Sequence, residues 1–145
     1  MRRSSKRRTP GVGTLDADAA FIALLIAAMT ASEHVSAAEA ARAHNIIWSM
    51  RRFRHRSGDA VGRIIERMRT LVEDHGASPV IEAAARTIPP RLRPAAFAVT
   101  ADLVLVDGRM ERPEARFLRR LAADLGLDRP TAKNILDVVR VKNSA

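Results

Sequence analysis

The chain has 145 residues, of which 47% are hydrophobic and 3% aromatic; this suffices for one globular core of Ala, Leu, Ile, Val and Met but not for two. It contains no cysteine, which excludes disulfides, thiolate catalysis and cysteine-ligated zinc or iron–sulfur sites, and agrees with a reducing compartment. Its 25 Lys and Arg against 16 Asp and Glu give a formal net charge of +9, by itself a weak sign of an anionic partner.

The first fifteen residues contain Arg2, Arg3, Lys6, Arg7 and Arg8, followed by Pro10, Gly11 and Gly13, with no apolar periodicity. Residues 1–15 are therefore expected to be a disordered basic tail, and residues 16–145 a single helical domain. Such a tail serves either as a solubilising segment or as an arm that attracts nucleic acid or an anionic membrane without specificity. The apolar run that follows, Ala19 to Ala28, resembles the core of a secretory signal. However, Asp16 and Asp18 stand where a signal would carry positive charge. The run is also shorter than the roughly 20 residues that a membrane span requires.

The residue palette favours helices, because Ala and unbranched side chains lose little entropy there. Phe21 to Ala31 reads as an apolar helix, Ser32 to Glu39 as a polar turn, and the segment onward to about Phe53 as an amphipathic helix. Ser36 and Glu39 have the spacing of a capping box. Ser57 or Asp59 opens a helix whose apolar positions Val61, Ile64, Ile65, Met68, Leu71 and Val72 follow helical spacing, and His75-Gly76 ends it. Ser78-Pro79 opens a short helix that Pro89 and Pro90 stop. Phe97 to Val106, the turn Asp107 to Glu114 and a helix onward to about Leu125 repeat the first pattern at a spacing of 75, with Val35 matching Met110, Glu39 matching Glu114 and Ile46 matching Leu121. In this second turn Glu111 takes the capping position, Pro113 lies where its missing N–H costs nothing, and Glu114 repeats the carboxylate. Gly126 then terminates, Asp128 caps, and Pro130 to about Val141 forms the last helix. The expected fold is an all-α, single-domain bundle of about seven helices with an internal pseudo-twofold helix-turn-helix repeat.

The segment VDGRMERPEARFLRRLAADLGL, Val106 to Leu127, joins an apolar helix, Asp-Gly, a Glu opening the next helix and Leu-Ala-x-x-Leu-Gly-Leu. It resembles the motif of the TerB-like family associated with tellurite resistance. AAMTASEHVSAAEAARAHNIIWSM resembles that family's degenerate first motif, and the likeness extends from Asp18 to Val141. It implies an all-helical bundle, a bacterial cytoplasmic setting, and a non-catalytic role in stress response alongside other stress-response proteins. It also implies a divalent metal, Ca²⁺ or Zn²⁺, held by acids where the two turns meet. Residue by residue, it proposes Asp107 and Glu114 from the second turn and Glu39 from the first; Ser32 departs from the Asp expected there, and Glu33 beside it stands in as a substitute ligand. Carboxylates are suitable ligands for hard cations, with His34 as an additional nitrogen donor. Both Glu39 and Glu114 also have a purely structural explanation, since helix starts favour carboxylates without any cation. Asp102, a lone acid on an apolar helix, reads as the partner of an Arg.

An EF-hand register on Gly108 would place Leu103 and Leu105 at ligand positions, so that reading fails. The sequence holds no nucleophile–base pair, phosphate loop or HExxH, and its four histidines, His34, His44, His55 and His75, are scattered; no enzyme is expected. The alternative site is Arg51, Arg52, Arg54 and Arg56, interleaved with Phe53 and His55. There the cations either complement a helix C-terminus or, with the basic tail, contact nucleic acid or an anionic membrane.

Overall fold

A computed structural model describes residues 11–31 and 35–145. Among these the chain forms seven α-helices and no strand: α1 Ala17–Thr30, α2 Ala37–Ser49, α3 Gly58–His75, α4 Ala77–Thr87, α5 Arg93–Val104, α6 Arg112–Asp124 and α7 Arg129–Lys142. The all-α expectation holds. No helix of the described residues is long and apolar enough to cross a membrane.

The bundle is organised around α1. The Asp16 carboxylate caps it, accepting the Ala19 N–H at 2.8 Å. Nine of its fourteen residues are buried, from Ala19 through Ala28, on every side of the helix. A helix apolar all round can only be a central one, and α1 packs against α4, α3, α5 and α2. Its alanines let those neighbours approach closely, while Phe21, Ile22, Leu24 and Leu25 fill the spaces between them. Core packing begins before the helix: Leu15 is 3% exposed and Val12 lies against the core. The folded body thus starts inside the segment that composition assigns to the tail.

The helix boundaries follow local chemistry. Ser57 caps α3, its hydroxyl accepting the Ala60 N–H at 3.1 Å, which settles the choice between Ser57 and Asp59. Gly76, at φ +83, ends α3 and is at the same time the residue before α4. The fourth helix therefore starts at Ala77, with Ser78-Pro79 inside its first turn. α5 begins at Arg93, earlier than the apolar run, because a short 3-10 turn, Pro90–Leu92, leads into it and Pro94 in its first turn forfeits no hydrogen bond. α2 stops at Ser49 instead of continuing to Phe53; Met50 is extended and a 3-10 turn, Arg51–Phe53, rotates Phe53 into full burial. α6 closes on Gly126, φ +69, with Gly126 N–H donating to the Ala123 carbonyl and Leu127 N–H to the Ala122 carbonyl. This pair of bonds is a Schellman termination. Asp128 then caps α7 through the Thr131 N–H at 2.7 Å, a bond that holds its carboxyl below the ordinary range.

Candidate functional site

The acids of the second turn are first of all local structure. Asp107 Oδ1 accepts the Arg109 N–H at 3.0 Å, closing a tight turn over Gly108. Glu114 Oε2 accepts the Glu111 N–H at 2.6 Å, and the Glu111 carboxylate accepts the Glu114 N–H in turn. At the start of α2 the Ser36 hydroxyl accepts the Glu39 N–H at 3.0 Å.

These same acids share a cavity. A space of about 540 Å³ opens between the end of α1, the start of α2, the end of α5 and the start of α6, with Ala28, Met29, Leu103, Val104 and Phe117 in its wall and Glu39, Asp107, Glu111 and Glu114 around it. Among the described residues that line it there is no Lys, Arg or His. Three of the acids that the family resemblance proposes as ligands, Asp107, Glu114 and Glu39, are therefore brought together. The fourth, Glu33, lies with Ser32 and His34 outside the described residues. Glu111 joins the set unforeseen. Its capping position was legible in sequence; its facing the cavity depends on how α6 leaves the turn.

Among the described residues the donors are oxygens, which suit a hard cation better than a soft one. The carboxylates ring the cavity without converging: among the described residues no three His, Cys, Asp or Glu stand close enough to share one ion. One oxygen each of Asp107 and Glu114 is also engaged by a backbone N–H. The fit is thus to the charge and class of a cation, with direct ligation limited to one or two carboxylates and the remaining positions open to water.

Behind the cavity, Asp102 on α5 ties three helices together. Its Oδ1 receives Arg42 Nη1 of α2 at 3.0 Å, Lys142 Nζ of α7 at 3.0 Å and Asn143 Nδ2 at 2.9 Å. The expected Arg partner is Arg42. Burial raises the Asp102 pKa, but the Asn143 and Lys142 hydrogen bonds and the charges of Arg42 and Lys142 outweigh it, and the carboxyl lies below its usual value of 3.8. A depressed folded pKa means stability that is present above the unfolded value and lost as pH falls through the folded one. Asp102→Asn should therefore cost about 1 kcal/mol at pH 7, the size of a partly exposed ion pair. The gap in urea midpoint between variant and parent should close as pH is lowered below 3.8; a gap that persists there would assign the loss to packing.

The alternative site is largely committed to the fold. Arg52 Nε donates to Asp18 Oδ1 at 2.6 Å and Arg56 pairs with the other oxygen of the same carboxylate. Arg52 also lies over the Phe21 ring, 4.9 Å from its centroid. These contacts clamp the segment after α2 to the start of α1. Arg51 and Arg54 are exposed, and neither forms an ion pair among the described residues.

Comparison with curated proteins and with solved structures gave no match. Comparison with family models gave one, described as tellurite resistance protein TerB, over residues 18–136, from the first turn of α1 into α7 and including both acidic turns. The chain belongs to the TerB family.

Proposed function

We propose that this TerB-family chain is a non-enzymatic, cytoplasmic module of a tellurite-related stress response that takes up a divalent cation, Ca²⁺ or Zn²⁺, at the acidic cavity and presents the surrounding surface to other stress-response proteins. One observation carries this reading. In a chain of net charge +9, the described residues that line this cavity include four carboxylates and no cationic side chain. Glu39, Asp107, Glu111 and Glu114 would repel one another less with a cation between them. The same cation would couple the start of α2 to the start of α6 and so alter the face both turns present. Oxygen-only ligation by few carboxylates implies a weak, partly hydrated site of the kind Ca²⁺ tolerates.

The reading that places nucleic acid or an anionic membrane on Arg51, Arg52, Arg54 and Arg56 is less supported, because Asp18 already holds Arg52 and Arg56.

Titration calorimetry with Ca²⁺ and with Zn²⁺ tests the proposal. Binding should weaken at least roughly tenfold in Asp107→Asn with Glu114→Gln, since each substitution removes a formal charge at the site. Circular dichroism should show the pair still folded, as a lost cap costs only about 1 kcal/mol. No heat with either ion, or binding indifferent to the double substitution, would overturn the reading.

A further inference from the structure

α6 has the sharpest division of faces in the molecule. Leu118, Leu121, Ala122 and Leu125 are buried and Phe117 is partly so. On the opposite side Arg112, Arg116 and Arg119 are all exposed. Their spacing, four residues and then three, keeps them on one narrow stripe, with rises of about 6 Å and about 4.5 Å between them. None of the three forms an ion pair among the described residues, whereas Arg120 beside them is drawn toward Glu82 and Asp124 at 3.3 and 3.7 Å. Arg109, also exposed, extends the stripe into the preceding turn. Cations left unpaired on a helix that has acids within reach of its other faces are unlike the evenly mixed charge of a solvating surface.

We infer that the outer face of α6 binds the phosphodiester backbone of double-stranded nucleic acid. Three properties of the face select this partner. A membrane-surface helix needs large apolar residues beside its cations, and every Leu and Phe of α6 is turned inward or toward the acidic cavity. A protein partner would need an apolar or aromatic anchor at the centre of its interface; on α6 the outer face offers only the small Ala115 and Ala123, and the exposed Met110 lies at its edge, in the turn before the helix. The face has no Asn, Gln, Ser or Thr to read base edges, which leaves phosphate contact without sequence preference. Guanidinium forks suit phosphate oxygens better than ammonium groups do. Arg112 opens this surface beside the cavity residues Glu111 and Pro113, while none of Arg112, Arg116 and Arg119 lines the cavity or belongs to the segment that Asp18 clamps.

The test is fluorescence anisotropy of the full chain with a labelled DNA duplex of about 20 base pairs, between about 50 and 200 mM salt. Replacing Arg112, Arg116 and Arg119 together by Gln should reduce affinity on the order of a hundredfold at low salt and flatten the plot of log K against log salt by about 2.7, or about 0.9 per lost phosphate contact. Replacing three exposed arginines from elsewhere, Arg63, Arg91 and Arg140, should cost far less. Deleting residues 1–10 should leave the decrement from the α6 triple in place. Equal losses from the two triples would mean that only net charge is sensed, and would overturn the inference. So would an unchanged salt slope, or anionic vesicles responding to the α6 triple as strongly as the duplex does.

Discussion

Leu24→Ala should destabilise the protein by about 3–5 kcal/mol, a large part of the 5–15 kcal/mol that holds a domain of this size together. The side chain is wholly buried in the middle of α1. Part of the expected loss is the transfer energy of the removed methyl groups, and part is the void they leave, which depends on how far the neighbours can close in. Here they have little freedom to do so. α1 is packed against α3, α4 and α5, and Ala20, Ala23 and Ala27 beside Leu24 are each 0% exposed, so small side chains already fill the space around it. A helix resting on alanine cannot move closer without a backbone clash, so the space left by Leu24 stays largely empty. Chemical denaturation monitored by helical circular dichroism measures the loss. A cost below about 1 kcal/mol would show that α1 sits in a core loose enough to repack, and that its all-round burial is not what organises the bundle.

What could be read from the sequence was what adjacent residues determine. The Asp128 cap, the Gly126 stop and the capping box at Glu111 and Glu114 depend on chemistry within four or five residues and appear where the pattern puts them, and Ser57 is one of the two starts the pattern offered for α3; α1 starts four residues before Phe21, at Ala17, because Asp16 caps it. The corrections arise where one residue serves two elements or where a distant one intervenes. Gly76 ends α3 and opens α4 at once, so no separate Ser78 start is needed. Asp18 clamps Arg52 and Arg56, turning half of a candidate anion site into a structural tie across 34 residues of sequence. Asp102 was legible as an Arg partner, but Arg42 lies 60 residues upstream. For the acidic cavity, the family motif supplied Asp107, Glu114 and Glu39. Glu111 was missed because the motif assigned it only a capping position, and its facing the cavity depends on how α6 leaves the turn.

Gly108 shows how local and distant causes combine in that motif, and Gly108→Ala should cost about 2–3 kcal/mol. One share is conformational: the residue sits at φ +75, where a side chain costs roughly 1–2 kcal/mol. The other comes from the far end of the chain. A Cβ at Gly108 would lie 3.0 Å from the Asn143 carbonyl oxygen and 3.5 Å from its carbon, both backbone atoms that cannot swing aside. Displacing Asn143 also strains its side-chain bonds to Asp102 at 2.9 Å and to the Leu105 carbonyl at 3.0 Å. The two shares separate in a double-mutant cycle with a chain truncated after Lys142. In the truncated background the clash is gone, so Gly108→Ala should cost only the conformational share. Gly108→Asn, which tolerates positive φ but carries the same Cβ, should isolate the clash: costly in the full chain and nearly neutral in the truncated one. Equal costs in both backgrounds for both substitutions would mean that the Asp-Gly turn is held by its own backbone alone, and that the end of α7 plays no part in shaping the acidic cavity.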